Sequence, residues 1–174
     1  MNTNEYLSFF VSLLNDQYAE AITGLTDEQL YYLAYQKANH IAWQAWHFAR
    51  TEDNIINFVC QNRKLPVWAR QGLAEKWSLP RNAQGTGMTT EEAHAVRIPS
   101  VAALAQYIRD VNDDVAPYLK SASQEDLNTI VKVVPWGDAT KLQHIGRTII
   151  AHGNGHLGQI FTVRSIMGLQ GDSF

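Results

Sequence analysis

The histidines are the residues best suited to chemistry. There are six: His40, His47, His94, His144, His152 and His156. His152 and His156 stand four apart in the run AHGNGH. On a helix, four residues advance about 400°, so these side chains differ by about 40° and sit one turn apart. Two imidazoles so placed reach one metal ion, which is the geometric content of the HxxxH half of a zinc motif. Chance supplies roughly 0.2 such pairs in a chain with this many histidines, so the spacing alone is weak. Two features strengthen it. The pair continues the apolar stripe of Leu142, Ile145, Ile149 and Val163, where an imidazole needs partners for its nitrogens. Gly153, Gly155 and Gly158 each cost this helix about 1 kcal/mol relative to Ala, which points to close approach of a ligand or another backbone. A metal ion and a set of core hydrogen bonds both satisfy these features.

A zinc-type site needs at least three protein ligands. His47 is the leading third. It shares a narrow polar strip with His40, Gln44, Thr51 and Asn54 on an otherwise apolar helix, and the strip faces either solvent or a polar pocket. His40 lies at the helix start, where it suits a cap. His144 faces some 80° away from His152 and suits a surface or packing role. His94 falls in an irregular region and is expected to be exposed. Glu52 and Asp53 follow His47 by five and six residues, so they point about 140° and 120° away and leave its face. No general base stands out, and Gly153 occupies the place where a zinc protease carries Glu, which disfavours peptide hydrolysis by that route. Thr51 and Asn54 are pocket candidates. Gln159, three residues after His156, is placed to support a site from behind. Trp43 and Trp46 are expected to fill core or dimer contacts, and Cys60 to be a small core filler.

These residues need helices to position them. Tyr6, Phe9, Phe10, Leu13, Leu14 and Tyr18 predict a first helix over about Asn4 to Ile22, broken by Gly24. Thr26 to Gln29 has the pattern of a short capped turn. A second helix is expected from an Asn39 cap to about Cys60. From Gln61 to Pro99 the pattern breaks down, and Pro66, Gly72, Pro80, Gly85 and Gly87 punctuate it. Short helical pieces are expected near Trp68 to Lys76 and from Thr89, with Trp68 and Trp77 pinning the segment. Ser100 caps a third helix, about Val101 to Leu119, with Pro117 late in it. A small turn follows at Ser123, Val131 to Val134 reads as a short extended piece, and Pro135-Trp136-Gly137 as a turn. Asp138 or Thr140 caps the last helix, about Lys141 to Met167, which Gly168 ends. The expected fold is all-α, a four-helix bundle with one long, partly helical connection between the second and third helices.

Composition narrows the function classes. The 174 residues fit one domain, 1–174, large enough to bury a core without disulfides. Only 18% of residues are charged, below the usual quarter, which points to surface taken up by an interface or a pocket. Fourteen basic against 17 acidic residues give a net charge of -3, which disfavours a broad basic face for nucleic acid. The single cysteine excludes an internal disulfide and fits a reducing compartment. The start, MNTNEYLSFF, lacks a basic region and a cleavage site, so no signal peptide is expected. The longest uncharged stretch, Thr148 to Val163, is too short and too polar to span a bilayer. A soluble cytoplasmic protein is expected, with no nucleic-acid or membrane partner.

The run AWHFARTEDN, the segment W-x3-G-L-A-E-K-W and the run HGNGHLGQIFTVRSIMGLQG together resemble the DinB-like superfamily, in the right order over nearly the whole chain. The resemblance implies an up-down-down-up four-helix bundle. It also implies one divalent metal ion held by three histidines, at positions that match His47, His152 and His156 here. Members are often homodimers. Some are thiol S-transferases or isomerases that use low-molecular-weight thiols such as bacillithiol or mycothiol, and others have no assigned activity. The expectation is therefore a metal-dependent transferase or hydrolase acting on a small-molecule substrate. The metal, with zinc or nickel leading, would activate a water or a low-molecular-weight thiol co-substrate. The alternative is a non-catalytic metal-binding or dimeric scaffold.

Overall fold

Asn2 opens the chain's first long helix with a capping box. Its side chain accepts from the Glu5 N–H at 3.0 Å, and the Glu5 carboxylate accepts from the Asn2 N–H at 2.9 Å. The resulting helix α1, Thr3–Ile22, buries Leu7, Val11, Leu14, Tyr18 and Ile22 at helical spacing. The structure, a computed structural model, describes residues 1–171, so the last three residues of the expected 1–174 domain lie outside it. The predicted capped turn forms α2, Asp27–Leu30.

The second long segment starts one residue later than expected. His40, not Asn39, is the cap, because its Nδ1 accepts from the Trp43 N–H at 3.0 Å. Helix α3, Ile41–Glu52, follows and is buried at every position. It then widens into a π-helical segment, Asp53–Cys60. The connection after it contains α4 (Val67–Arg70), α5 (Leu73–Lys76) and α6 (Thr90–Ala95). Trp68 and Trp77 pin it as predicted: both are buried and meet edge to face at 5.3 Å. Helix α7, Val101–Ser121, is capped by Ser100 and continues past Pro117. After the short α8, Gln124–Leu127, the chain makes a small hairpin before its last long segment. That segment runs through α9 (Lys141–His144), a π-helical stretch (Ile145–Ala151) and α10 (His152–Ile166), with Thr140 as its cap.

The protein is mostly helical. Helix α1 packs along α7, α3 packs on α10 and α7, and α10 returns against α1. The hairpin corrects the all-α expectation. Strand β1, Ile130–Val133, pairs antiparallel with β2, Gly137–Thr140, with Val133 opposite Gly137. The sequence GDAT carries no apolar alternation, so β2 leaves no strand signal. The hairpin is tied to the last long segment by His144, whose Nε2–H donates to the Val131 carbonyl at 3.1 Å. Among the described residues, no helix is long and apolar enough to cross a membrane.

Two neighbouring carboxyls lie in the core where α3 changes winding. Asp53 holds the start of the long connection, accepting from the Val67 and Trp68 backbone N–H groups. Glu52 is fully buried, and both its oxygens face the Asn15 amide nitrogen, at 3.0 and 2.9 Å. Burial pushes the Glu52 carboxyl from 4.5 up to about 8; the Asn15 hydrogen bonds pull it down, and Asp53 beside it pushes it up. The folded chain therefore holds a proton here that the unfolded chain releases. That stabilisation is complete below about pH 4.5 and is lost as pH rises through about 8. Histidines buried in the neutral form push the other way, because near pH 7 about a quarter of each is still protonated in the unfolded chain. Comparison with Glu52→Gln cancels that opposing slope. In urea unfolding of metal-free protein between pH 7 and 8, the wild type is expected to lose about 1 kcal/mol more than Glu52→Gln. Equal pH slopes in the two proteins would refute the assignment.

Candidate metal centre

His47 lies in the middle of α3, and His152 and His156 lie in the first turns of α10. Close packing of α10 on its neighbours brings them together. A Cβ on Gly153 would lie 2.7 Å from Leu14 Cδ2 and 2.8 Å from Phe48 Cε2, so only glycine fits that contact. Tyr18 locks it further: its hydroxyl donates to the Gly153 carbonyl at 2.7 Å, and its ring stacks on Phe48 at 4.0 Å. Gly155 and Gly158 have open space around them, so the expected close approach holds for Gly153 alone.

The three imidazoles converge. One potential ligand atom from each lies within 4.8 Å of the others, and among the described residues this is the one such cluster. Nε2 of His152 and Nε2 of His156 are 3.0 Å apart. The His47 ring centre is 5.3 Å from that of His152 and 4.9 Å from that of His156. Nitrogens bound at about 2.1 Å to a tetrahedral ion stand about 3.4 Å apart, so the trio suits one ion with small adjustments. The hydrogen bonds outside the cluster select the tautomers. His47 Nδ1–H donates to the Gln84 carbonyl, and His156 Nδ1–H donates to Gln44 Oε1. Gln44 in turn donates its Nε2–H to Gln159 Oε1 at 2.6 Å. Both histidines thereby keep a lone pair on Nε2.

The environment keeps the rings neutral. Burial lowers His47 from 6.5 to about 4; the Gln84 bond opposes this, and His152 adds to it. Burial lowers His156 to about 3, helped by His47 and His152 and opposed by the Gln159 side chain. Burial also lowers His152. Three neutral imidazoles are the protonation state that a divalent ion requires.

His47 is clamped on both faces. Trp43 stacks on it at 4.7 Å and 19°. Gly85 covers it from the long connection, at φ +95°, where a Cβ would lie 2.5 Å from His47 Nδ1 and 3.0 Å from Trp43 Cζ2. The cluster forms part of the wall of an open cavity of about 360 Å³. Trp43, Thr51 and Trp136 also line it, and Trp136 stands edge-on to His152 at 6.0 Å.

The polar strip of α3 therefore faces a polar pocket rather than solvent: Gln44, His47 and Thr51 are buried. Thr51 reaches the cavity, and Gln159 reaches the cluster through Gln44. Asn54 does not. It lines a separate cavity with Arg50 and Arg81, because α3 widens into π-helical turns at Asp53 and the segment around Gln84 lies between the two spaces. His94 is not exposed as expected; it is half-buried, and its Nε2–H donates to the Ala38 carbonyl at 2.8 Å. His40 caps α3, and His144 is buried against the hairpin. Trp43 and Trp46 are both buried in the core as expected, and Trp43 also lines the cavity. Cys60 is a buried core residue. Sequence reasoning missed Gly85, read only as a breaker, and Trp136, read only as part of a turn. Lone Gly and Trp residues in loops do not report which ring they cover.

Gln44 offers a direct test of the tautomer network. Gln44→Leu removes the acceptor for His156 Nδ1–H without touching a ligand. Metal affinity, measured by competition with a chelator, is expected to fall 10–100-fold. Unchanged affinity would show that the glutamine relay plays no part.

A family model of the DinB superfamily matches residues 13–160. No curated protein matches the chain. Among solved structures, the chain is similar to the crystal structure of a conserved protein from Enterococcus faecalis. The TM-score is 0.82 at 22% identity, over 97% of this chain and 99% of that one. That likeness concerns the fold.

Proposed function

We propose that this chain, which belongs to the DinB superfamily, holds one divalent metal ion at His47, His152 and His156 and works as a metal-dependent transferase or hydrolase on a small molecule. The observation that carries the reading is the convergence of three neutral imidazoles on the wall of an open cavity. Three protein ligands leave a coordination position free, the pattern of catalytic rather than structural sites. When bound, such an ion supplies a Lewis acid that lowers the pKa of a thiol or water. Zinc and nickel suit an all-imidazole donor set.

The chain's own residues supply position. Gln84 and Gln44 hold the ring tautomers, and Trp43 and Gly85 hold the plane of His47. Among the described residues, no Asp or Glu lines the cavity to take a proton from water. This favours a low-molecular-weight thiol as nucleophile, because a thiol ionises near pH 8.5 with little help. The proposal includes the family's up-down-down-up four-helix bundle, built from α1, α3, α7 and α10 with their π-helical extensions. It also includes a homodimer, supported by an exposed stripe on α1: Tyr6 at 45%, Phe9 at 53% and Leu13 at 39%. Sedimentation equilibrium showing a monomer at micromolar concentration would remove the dimer.

The test is a screen of metal-loaded protein with small thiols and electrophilic substrates. Turnover that disappears on chelation and in His152→Ala is the expected result. Metal-loaded, folded protein that turns over nothing in the screen would instead support a non-catalytic metal-binding scaffold.

A further inference from the structure

Two tryptophans line the histidine cavity, Trp43 and Trp136. Trp43 is 7% exposed, and one of its faces is taken by His47. Trp136 is 40% exposed, and its ring centre lies 6.0 Å from that of His152, with the rings at 73°. An indole this open keeps apolar surface in water, which a stacked partner removes. The ring is also held in place. It sits at the turn between β1 and β2, and the last long segment clamps that turn. Arg147 sets its guanidinium carbon over the indole, 5.0 Å from the ring centre, and its Nη2–H donates to the Trp136 carbonyl at 3.2 Å. His144 on the same segment fixes β1 through the Val131 carbonyl. The guanidinium takes one face of the indole, so its other face and its rim are left for the cavity. A platform pinned from behind loses little freedom when a ligand settles on it.

From this we infer that Trp136 is a specificity-determining residue, selecting small molecules that carry a flat aromatic ring, which stacks on its indole while the rest of the molecule reaches the histidines. An aromatic ring gains from offset stacking beyond the area it buries, and a saturated ring of the same size does not. Pro135 and Met88 add apolar surface to the same cavity. Its volume of about 360 Å³ lies at the small end of ligand sites, which run roughly from 300 to 1,000 Å³, so it suits one ring and a reacting group. The inference deepens the proposed function and rests on it for the chemistry, but the ring preference resides in a side chain outside the metal ligands.

The experiment titrates benzyl mercaptan and cyclohexylmethyl mercaptan, thiols that differ in the aromaticity of one ring, into the protein. In cobalt-loaded samples the thiolate-to-cobalt absorption band reports binding at the ion. In zinc-loaded and metal-free samples proton–nitrogen NMR follows the Trp136 indole resonance, assigned by its loss in Trp136→Phe. Benzyl mercaptan is expected to bind about three- to tenfold tighter, although the cyclohexyl group is the more hydrophobic, and to shift the Trp136 indole proton upfield. Trp136→Leu is expected to bring the two thiols within about twofold of each other, with metal content and circular dichroism unchanged. Trp136→Phe, which keeps a smaller aromatic face, is expected to retain part of the preference. Equal binding of the two thiols, or tighter binding of the cyclohexyl one, would show apolar burial without stacking and overturns the inference. A preference that survives Trp136→Leu, or an unmoved Trp136 indole, overturns it as well. Wild-type protein that takes up neither zinc nor cobalt refutes the proposed function instead, and the metal-free NMR titration of the two thiols then decides the ring preference alone.

Discussion

Gly85→Ala is expected to strip the protein of most of its metal affinity while leaving its core folded. Gly85 has φ +95°, a conformation that strains any L side chain. The added methyl would also sit 2.5 Å from His47 Nδ1 and 3.0 Å from Trp43 Cζ2. Neither neighbour has room to yield. Trp43 is packed at 7% exposure, and His47 is held between that indole and the Gln84 carbonyl. The loop resists retreat as well, because Arg50 Nε–H holds the Ala83 carbonyl at 3.0 Å. Either His47 rotates and loses its bond to Gln84, or the loop lifts and uncovers the ring. Both outcomes misplace a ligand. A loss at or beyond the upper end of the 10–100-fold range seen for disturbed ligand supports is expected in chelator competition. Gly155→Ala is the matched control: it stands in α10 with open space around it, and it should keep wild-type affinity. Wild-type affinity in Gly85→Ala would contradict the clamp.

The second large effect is on stability. Asp53→Ala is expected to cost about 3–5 kcal/mol in urea unfolding. Asp53 is fully buried, and its two oxygens collect four donors. The Val67 and Trp68 backbone N–H groups donate at 2.8 and 2.9 Å, the Tyr107 hydroxyl at 2.8 Å and Asn57 Nδ2 at 2.9 Å. Arg50 Nη1 lies 3.8 Å away. The carboxylate thus fastens the start of the long connection to α7 and to the π-helical turn after α3. Removing it leaves buried donors and a buried guanidinium without their partner. Because the same connection carries Gln84 and Gly85, the variant should also bind metal more weakly. A loss below about 1 kcal/mol would contradict this role.

Much of this arrangement was legible in the sequence. The long helices announced themselves through spaced apolar residues and through Ser100 and Thr140 as caps. The spacing of His152 and His156 named a pair on one helix face, and the polar strip of α3 offered His47 as a partner. What the sequence could not supply was winding and cover. A change to π-helical turns leaves no periodic trace, so Asn54 was grouped with Thr51 although the two serve different cavities. Helical arithmetic correctly moved Glu52 and Asp53 off the histidine face but said nothing of their burial. The fit of Gly85 over His47 depends on a connection whose path follows from Asp53, Trp68 and Trp77 acting together, not from any local pattern. The strand GDAT escaped notice because its pairing partner, not its composition, defines it.

The measurement that tests the central claim most directly is metal content by mass spectrometry, on untagged protein purified without a nickel column. His47→Ala and His152→Ala are measured beside the wild type, with circular dichroism to show that each is folded. The account predicts close to one equivalent of a divalent metal in the wild type and near none in either variant. Wild-type protein without metal, or folded variants that keep it, would contradict the three-histidine centre.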